Sequence, residues 1–117
     1  MMQPLLQTMI RELAEFERQL ELVTIREEDL ARDGFGENPR FRALIAEWEG
    51  HAAGYAVFFG YYSTWAGRGL FLEDLFVRET FRKRGIGTAL LAAVAHCGRR
   101  ALLRNTLGSA RLEREGD

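Results

Sequence analysis

Three cations and two glycines fall together at Arg82-Lys83-Arg84-Gly85-Ile86-Gly87, directly before an aliphatic run from Thr88 to Cys97. A helix start exposes N–H groups without intrahelical partners and carries about half a positive charge from aligned peptide dipoles, so it binds anions well. Gly85 and Gly87 carry no side chain that would hold a phosphate away from the backbone. The chemistry this spacing suits is recognition of a pyrophosphate. The two best-known phosphate motifs do not fit. A Walker loop needs Lys and then Ser or Thr after its second glycine, and the dinucleotide fingerprint needs a third glycine at position 90. Thr88 and Leu90 stand there instead. The same residues also suit a plain helix start with glycines at a turn, so the surrounding elements must decide.

Those elements can be read from periodicity. Leu6, Met9, Ile10, Leu13, Phe16 and Leu20 recur at three and four, which predicts an amphipathic helix over 4–21 with Pro4 in its first turn. Thr24 and Glu27 have capping-box spacing and Asp33-Gly34 offers a stop, predicting a short helix over 25–33. Gly34, Gly36, Asn38 and Pro39 then make a loop. Runs rich in aromatic and branched residues at 41–48, 53–62 and 69–77 predict three consecutive antiparallel strands. The order strand, basic glycine turn, helix is the most informative arrangement in the chain. Tyr55, Phe58, Phe59, Tyr61 and Tyr62 read as strand core and sheet surface, His51 as a turn residue and His96 as a residue near a helix end.

Composition limits the functions available. With 117 residues, 47% hydrophobic and 28% charged, the chain fits one globular domain with a core of its own. Cys97 is the single cysteine and only His51 and His96 accompany it, so neither an internal disulfide nor a zinc site is expected. No apolar run is long enough to span a bilayer and the start lacks a secretory pattern, so a cytoplasmic protein is expected. Residues 1–81 carry a net charge of −6 and residues 82–117 carry +5. An acidic front and a basic back suit a cationic substrate met by an anionic cofactor better than they suit nucleic acid, which wants a basic field throughout.

The context resembles a known family. Leu72-Glu73-Asp74-Leu75-Phe76-Val77, followed after a short gap by Arg82-Lys83-Arg84-Gly85-Ile86-Gly87 and an aliphatic helix, is similar to the acetyl-CoA site of GCN5-related N-acetyltransferases. Upstream, Glu12-Leu13-Ala14-Glu15-Phe16-Glu17, Asp29-Leu30, Asp33-Gly34-Phe35-Gly36-Glu37, Gly54-Tyr55-Ala56 and Trp65-Ala66-Gly67 resemble the diamine (spermidine/spermine) branch. The resemblance covers about residues 5–97. It implies an α/β fold, a mixed and mainly antiparallel sheet flanked by helices, and acetyl transfer from acetyl-CoA to a primary amine by direct attack. It implies that Leu75, Phe76 and Val77 pair with the pantetheine arm while Arg82, Lys83, Arg84, Gly85, Ile86, Gly87 and Thr88 hold the pyrophosphate.

An amine is mostly protonated at neutral pH, so a carboxylate must take its proton before attack, and the resemblance gives that role to Glu73. Asp74, on the opposite face of a regular strand, is expected to have a different job, and the resemblance to the diamine branch implies that Phe16, Glu17 and Trp65 shape the amine pocket. Ser63 stands where polyamine enzymes carry an acid, which shifts the expectation from polyamines toward lysine-like amines. No metal is implied.

The ends depart from the family's pattern. The usual first strand and the C-terminal strands are not expected, and no tyrosine follows Tyr62 to act as the family's general acid. Residues 98–117 hold five arginines and no aromatic residue, and are expected to be a divergent tail, of frameshifted or natural origin, of one incomplete domain. Missing strands leave an edge at 70–77, which together with the resemblance implies a homodimer. The alternative function is a weakly active or non-catalytic CoA-binding remnant.

Overall fold

A computed structural model describes residues 2–101, with side chains through Cys97. The tail at 98–117 lies outside the described residues apart from the helical backbone of 98–101. Helix α1, Met2–Phe16, buries Leu6 and Met9 completely. It stops short of the predicted residue 21 because Arg18 turns left-handed at φ 58°. Arg18 N–H then donates to the Glu15 carbonyl and Gln19 N–H to the Ala14 carbonyl, closing the last turn in the manner of a Schellman motif. Leu20–Leu22 form a separate 3-10 turn.

Helix α2 spans Glu27–Phe35, two residues later than predicted at each end. Its start is fixed by Asp29, whose Oδ2 accepts from the Arg26 backbone N–H at 2.9 Å, rather than by Thr24 with Glu27. Glu27, Glu28 and Asp29 fill the first turn, where the dipole favours acids.

Strands β1 (Arg42–Trp48), β2 (His51–Ser63) and β3 (Gly67–Val77) form an antiparallel sheet in that order. Glu49 and Gly50 join β1 to β2 with φ of 51° and 83°, a turn whose twist matches the flanking strands. His51 therefore opens β2 instead of lying in the turn. At the far end Ser63 Oγ accepts from the N–H groups of Trp65 and Ala66 and organises the β2–β3 turn. Helix α3, Ile86–Ala101, follows a 3-10 turn at Glu79–Phe81, and His96 lies within it rather than at its end.

The result is a mixed α/β fold with helices on both faces of the sheet. On one face α3 sets Ile86, Leu90 and Val94 against Leu44, Ala56 and Phe58, with Cys97 packed at the margin. On the other, Leu6 and Met9 of α1 and Leu30 of α2 meet Ile45, Tyr55 and Phe76. Alternation along β2 supplies both cores, and Tyr55 and Phe58 are fully buried on opposite sides. No helix among the described residues is long and apolar enough to cross a membrane.

Candidate active site

The pairing of β2 with β3 slips by one residue in the middle of β3. Val57 lies opposite Asp74 and Phe58 opposite Leu72, so Glu73 is the extra residue of a β-bulge. Regular alternation puts neighbouring side chains on opposite faces, and the bulge cancels it. Glu73 and Asp74 both line one cavity, which corrects the expectation that they face apart. The cavity, ≈ 400 Å³, lies between β2, β3, the two N-terminal helices and the segment leading into β1.

Asp74 is half-buried, and its Oδ2 accepts from the Tyr55 hydroxyl at 3.0 Å. Burial pushes the Asp74 carboxyl above its ordinary value; the Tyr55 bond pulls it back, and the charges of Glu73 and Glu17 push it up again. Burial, then the Asp74 carboxylate, raise the Tyr55 phenol so far that it stays a donor at any working pH. Glu73 is exposed at the bulge. Carboxylates from two elements thus converge on one cavity with apolar walls from Ile10, Ile25, Leu30, Phe41, Val57 and Phe59. An alkyl amine has its ammonium and its methylenes matched there.

Past the carboxylates, β3 runs on through Leu75, Phe76 and Val77, about 10 Å of strand. Among the described residues β3 pairs with β2 alone, so its outer edge can accept an extended ligand arm through backbone hydrogen bonds. Phe76 is buried and Leu75 is 36% exposed. The glycine turn follows. Lys83 and Gly85 are left-handed at φ 66° and 77°, and Ala89 N–H donates to the Gly85 carbonyl at 3.0 Å, which makes Gly85 the cap of α3.

A Cβ at Gly85 would meet nothing within 4 Å, so the backbone there is open to an approaching group. The N–H groups of Ile86, Gly87 and Thr88 belong to the first helical turn, which has no earlier carbonyls to use. Lys83, Arg84 and Thr88 are exposed, with the Arg84 guanidinium 5.4 Å from the Trp48 ring centre. An open turn, an unsatisfied helix start and two exposed cations fit a pyrophosphate.

Arg82 is engaged differently. Its Nε donates to the Val77 carbonyl at 2.9 Å, and its guanidinium stacks 4.8 Å from the Phe16 ring centre and 5.9 Å from that of Phe76. It ties the end of α1 to the end of β3, so its side chain faces protein rather than the turn. Phe16 is 65% exposed beside it, and Glu17 is close enough to act on Asp74. Trp65 is 98% exposed at the β2–β3 turn and does not line the cavity. Sequence reasoning gave no part in the site to Tyr55, Asp33, Arg40 or Phe41, because each is brought there by strand register or by the α2–β1 segment, which only the fold reveals. Among the described residues no group of His, Cys, Asp and Glu could hold a metal ion.

The chain has counterparts among known proteins. The acetyltransferase (GNAT) family model matches residues 6–110, running past Cys97, where the sequence reading ended the resemblance. A thialysine N-epsilon-acetyltransferase of Mus musculus is 47% identical over 95 residues, 74% of this chain and 56% of that protein. A spermidine/spermine N(1)-acetyltransferase-like protein of Homo sapiens is 38% identical over 90 residues, 71% of this chain and 13% of that protein. The crystal structure of an aminoglycoside acetyltransferase from an uncultured soil sample superposes with a TM-score of 0.66 at 22% identity, covering 92% of this chain and 71% of that one. The likeness at that identity concerns the fold. The chain spans about half the length of the thialysine relatives it matches, 56% of the mouse protein. With a family model covering most of its residues, this chain belongs to the GNAT acetyltransferase family.

Proposed function

We propose that the chain is an acetyl-CoA-dependent N-acetyltransferase acting on the primary amine of a small polyamine or lysine-like molecule. The observation that carries this reading is the bulge that turns Glu73 and Asp74 into one cavity on the strand that leads to the glycine turn. Acetyl-CoA supplies the activated acyl group. The outer edge at Leu75, Phe76 and Val77 orients the pantetheine arm, and the amides of 83–88 with the side chains of Lys83 and Arg84 hold the pyrophosphate. Arg82 contributes by bracing Phe16 against the end of β3.

Glu73, exposed at the bulge, takes the proton from the incoming ammonium so that the nitrogen lone pair can attack. Asp74, held by the Tyr55 hydroxyl, keeps the cation over Glu73, with Glu17 adding negative field. The free amine then attacks directly, without a covalent acyl-enzyme. A thiol of pKa about 8.5 leaves as a tolerable anion, so expulsion of CoA proceeds without a strong general acid. The relatives' names, thialysine and spermidine/spermine acetyltransferases, support an amine acceptor. Trp65 joins the pocket in this reading only through a rearrangement of its turn. The lone Cys97 supports a reducing, cytoplasmic setting, and the outer edge of β3 supports a homodimer, for which light scattering should give twice 13.4 kDa.

Thermal unfolding with and without acetyl-CoA tests the cofactor half of this reading. Ligand at 100 times its dissociation constant adds about 2.7 kcal/mol to the native state, several degrees in a domain of this size. Gly85→Pro, which cannot take φ 77°, should abolish the shift. A folded wild-type chain whose midpoint ignores acetyl-CoA overturns the proposal, as does the absence of acetylated amine by mass spectrometry.

A further inference from the structure

Tyr55 is completely buried, yet its ring ends in a hydroxyl that must find a partner. The ring belongs to the core between the sheet and the N-terminal helices, with Leu6, Met9 and Leu30, and its centre is 6.1 Å from that of Phe76. Among the described residues its hydroxyl partner is Oδ2 of Asp74, at 3.0 Å. Packing therefore fixes where the hydroxyl sits, and the hydroxyl fixes the carboxylate. Tyr55 itself does not line the cavity, so it can act on a substrate only through Asp74.

The two oxygens of Asp74 are thereby made different. Oδ2 is taken by the phenol. Oδ1 accepts from no described residue and is not sealed from solvent, so it is the oxygen that an ammonium in the cavity meets. Charged groups surround this carboxylate from each neighbouring element. Glu73 stands at the bulge and Glu17 follows α1, while Asp33 of α2 and Arg40 of the segment leading into β1 line the same cavity. Asp33 is held by the Arg32 guanidinium at 3.0 Å, and Arg40 is exposed. Burial first, then the charges of Glu73 and Glu17, favour a proton on Asp74, and the Tyr55 hydroxyl works against them.

Two carboxylates on one cavity need separate roles. A proton taken by Glu73 can pass to water, because that residue is exposed. A proton taken by the half-buried Asp74 would stay in the site and cancel the charge that holds the next ammonium. We propose that Tyr55 is a positioning residue for acetyl transfer: its hydroxyl holds Oδ2 of Asp74 so that Oδ1 meets the substrate ammonium, and Asp74 stays ionised while Glu73 takes the proton. This rests on the reading of Glu73 and Asp74 as the carboxylates that receive the amine.

Tyr55→Phe tests the role, because it removes one oxygen and leaves the ring to fill the core. Carboxyl-carbon NMR of the full chain follows Asp74 directly, and its titration midpoint should rise by about one pH unit in the variant. The acid limb of kcat/KM, measured with spermidine and with lysine as acceptors, should move up with it, a loss of about tenfold along that limb that shrinks toward neutral pH. Asp74→Asn already lacks the charge, so adding Tyr55→Phe to it should change kcat/KM by no more than about twofold. An unmoved Asp74 midpoint, or a loss as large in the Asp74→Asn background as in the wild type, overturns the proposal. A wild-type chain that acetylates neither amine, with the Asp74 midpoint still rising in Tyr55→Phe, overturns the reading of the site and leaves no reaction for Tyr55 to serve.

Discussion

Burial of Asp74 close to Glu73 and Glu17 holds its carboxyl above the ordinary value of 3.8, so ionising it opposes folding. A carboxyl whose folded value is raised contributes stability that is present below the unfolded value and is lost as pH rises through the folded one. Asp74→Asn removes that dependence while its amide oxygen still accepts from the Tyr55 hydroxyl. The variant is therefore expected to melt a few degrees higher than the wild type at neutral pH, with the gap closing as pH falls below about 4. Melting curves across this range check it, and equal midpoints at neutral pH would refute the electrostatic account. Glu73 is exposed at the bulge. Glu73→Gln should leave the melting point and acetyl-CoA binding unchanged while lowering acetyl transfer by about 100-fold or more, as loss of a general base does.

Among the elements, the contact of α2 with the segment leading into β1 shapes the cavity that holds Glu73 and Asp74. A Cβ at Gly34 would lie 2.3 Å from Cζ of Phe41, whose ring packs edge-on to Phe35 and lines the cavity. Helix propensity alone would reward Gly34→Ala by up to about 1 kcal/mol. Overpacking costs about 1–3 kcal/mol, so the clash is expected to win, lowering the urea midpoint and raising KM for the amine as the ring is pushed into the cavity. A more stable variant would show that Phe41 moves freely. The same residue explains a limit of reading the sequence. Gly34 looks like a helix stop, yet the helix passes through it, because the glycine is there to admit a ring from another element. The strands from Arg42 onward were legible, since aromatic and branched runs between turn residues leave few alternatives. The bulge at Glu73 was not, because register belongs to the pair of strands and not to β3. The end of α1 at Arg18 was likewise hidden, for no glycine marks the left-handed residue.

Across the whole molecule, the sheet divides the structure: α3 and the glycine turn rest on one face, while α1 and α2 build the cavity of Glu73 and Asp74 on the other. Arg78 joins these parts. Its backbone N–H donates to the Ala53 carbonyl at 2.7 Å, and its guanidinium donates to the Ala52 carbonyl and to both oxygens of Glu12 on α1, at 2.8 and 3.0 Å. The pair is only partly buried, with side-chain exposures of 28% and 38%, so solvent screens it. A double-mutant cycle with Arg78→Met and Glu12→Gln is expected to give a coupling of about 1 kcal/mol that shrinks with salt. Arg78→Met alone should cost more than Glu12→Gln, because it also leaves the Ala52 carbonyl without its donor. Loosening α1 disturbs Ile10, Phe16 and Glu17, and reaches the turn before α3 only through the stacking of Arg82 on Phe16. Both single variants should therefore raise KM for the amine while leaving the thermal shift produced by acetyl-CoA intact. Equal losses of amine and cofactor binding would mean that the two faces of the sheet are not independent, and that Arg78 holds the site together as one unit.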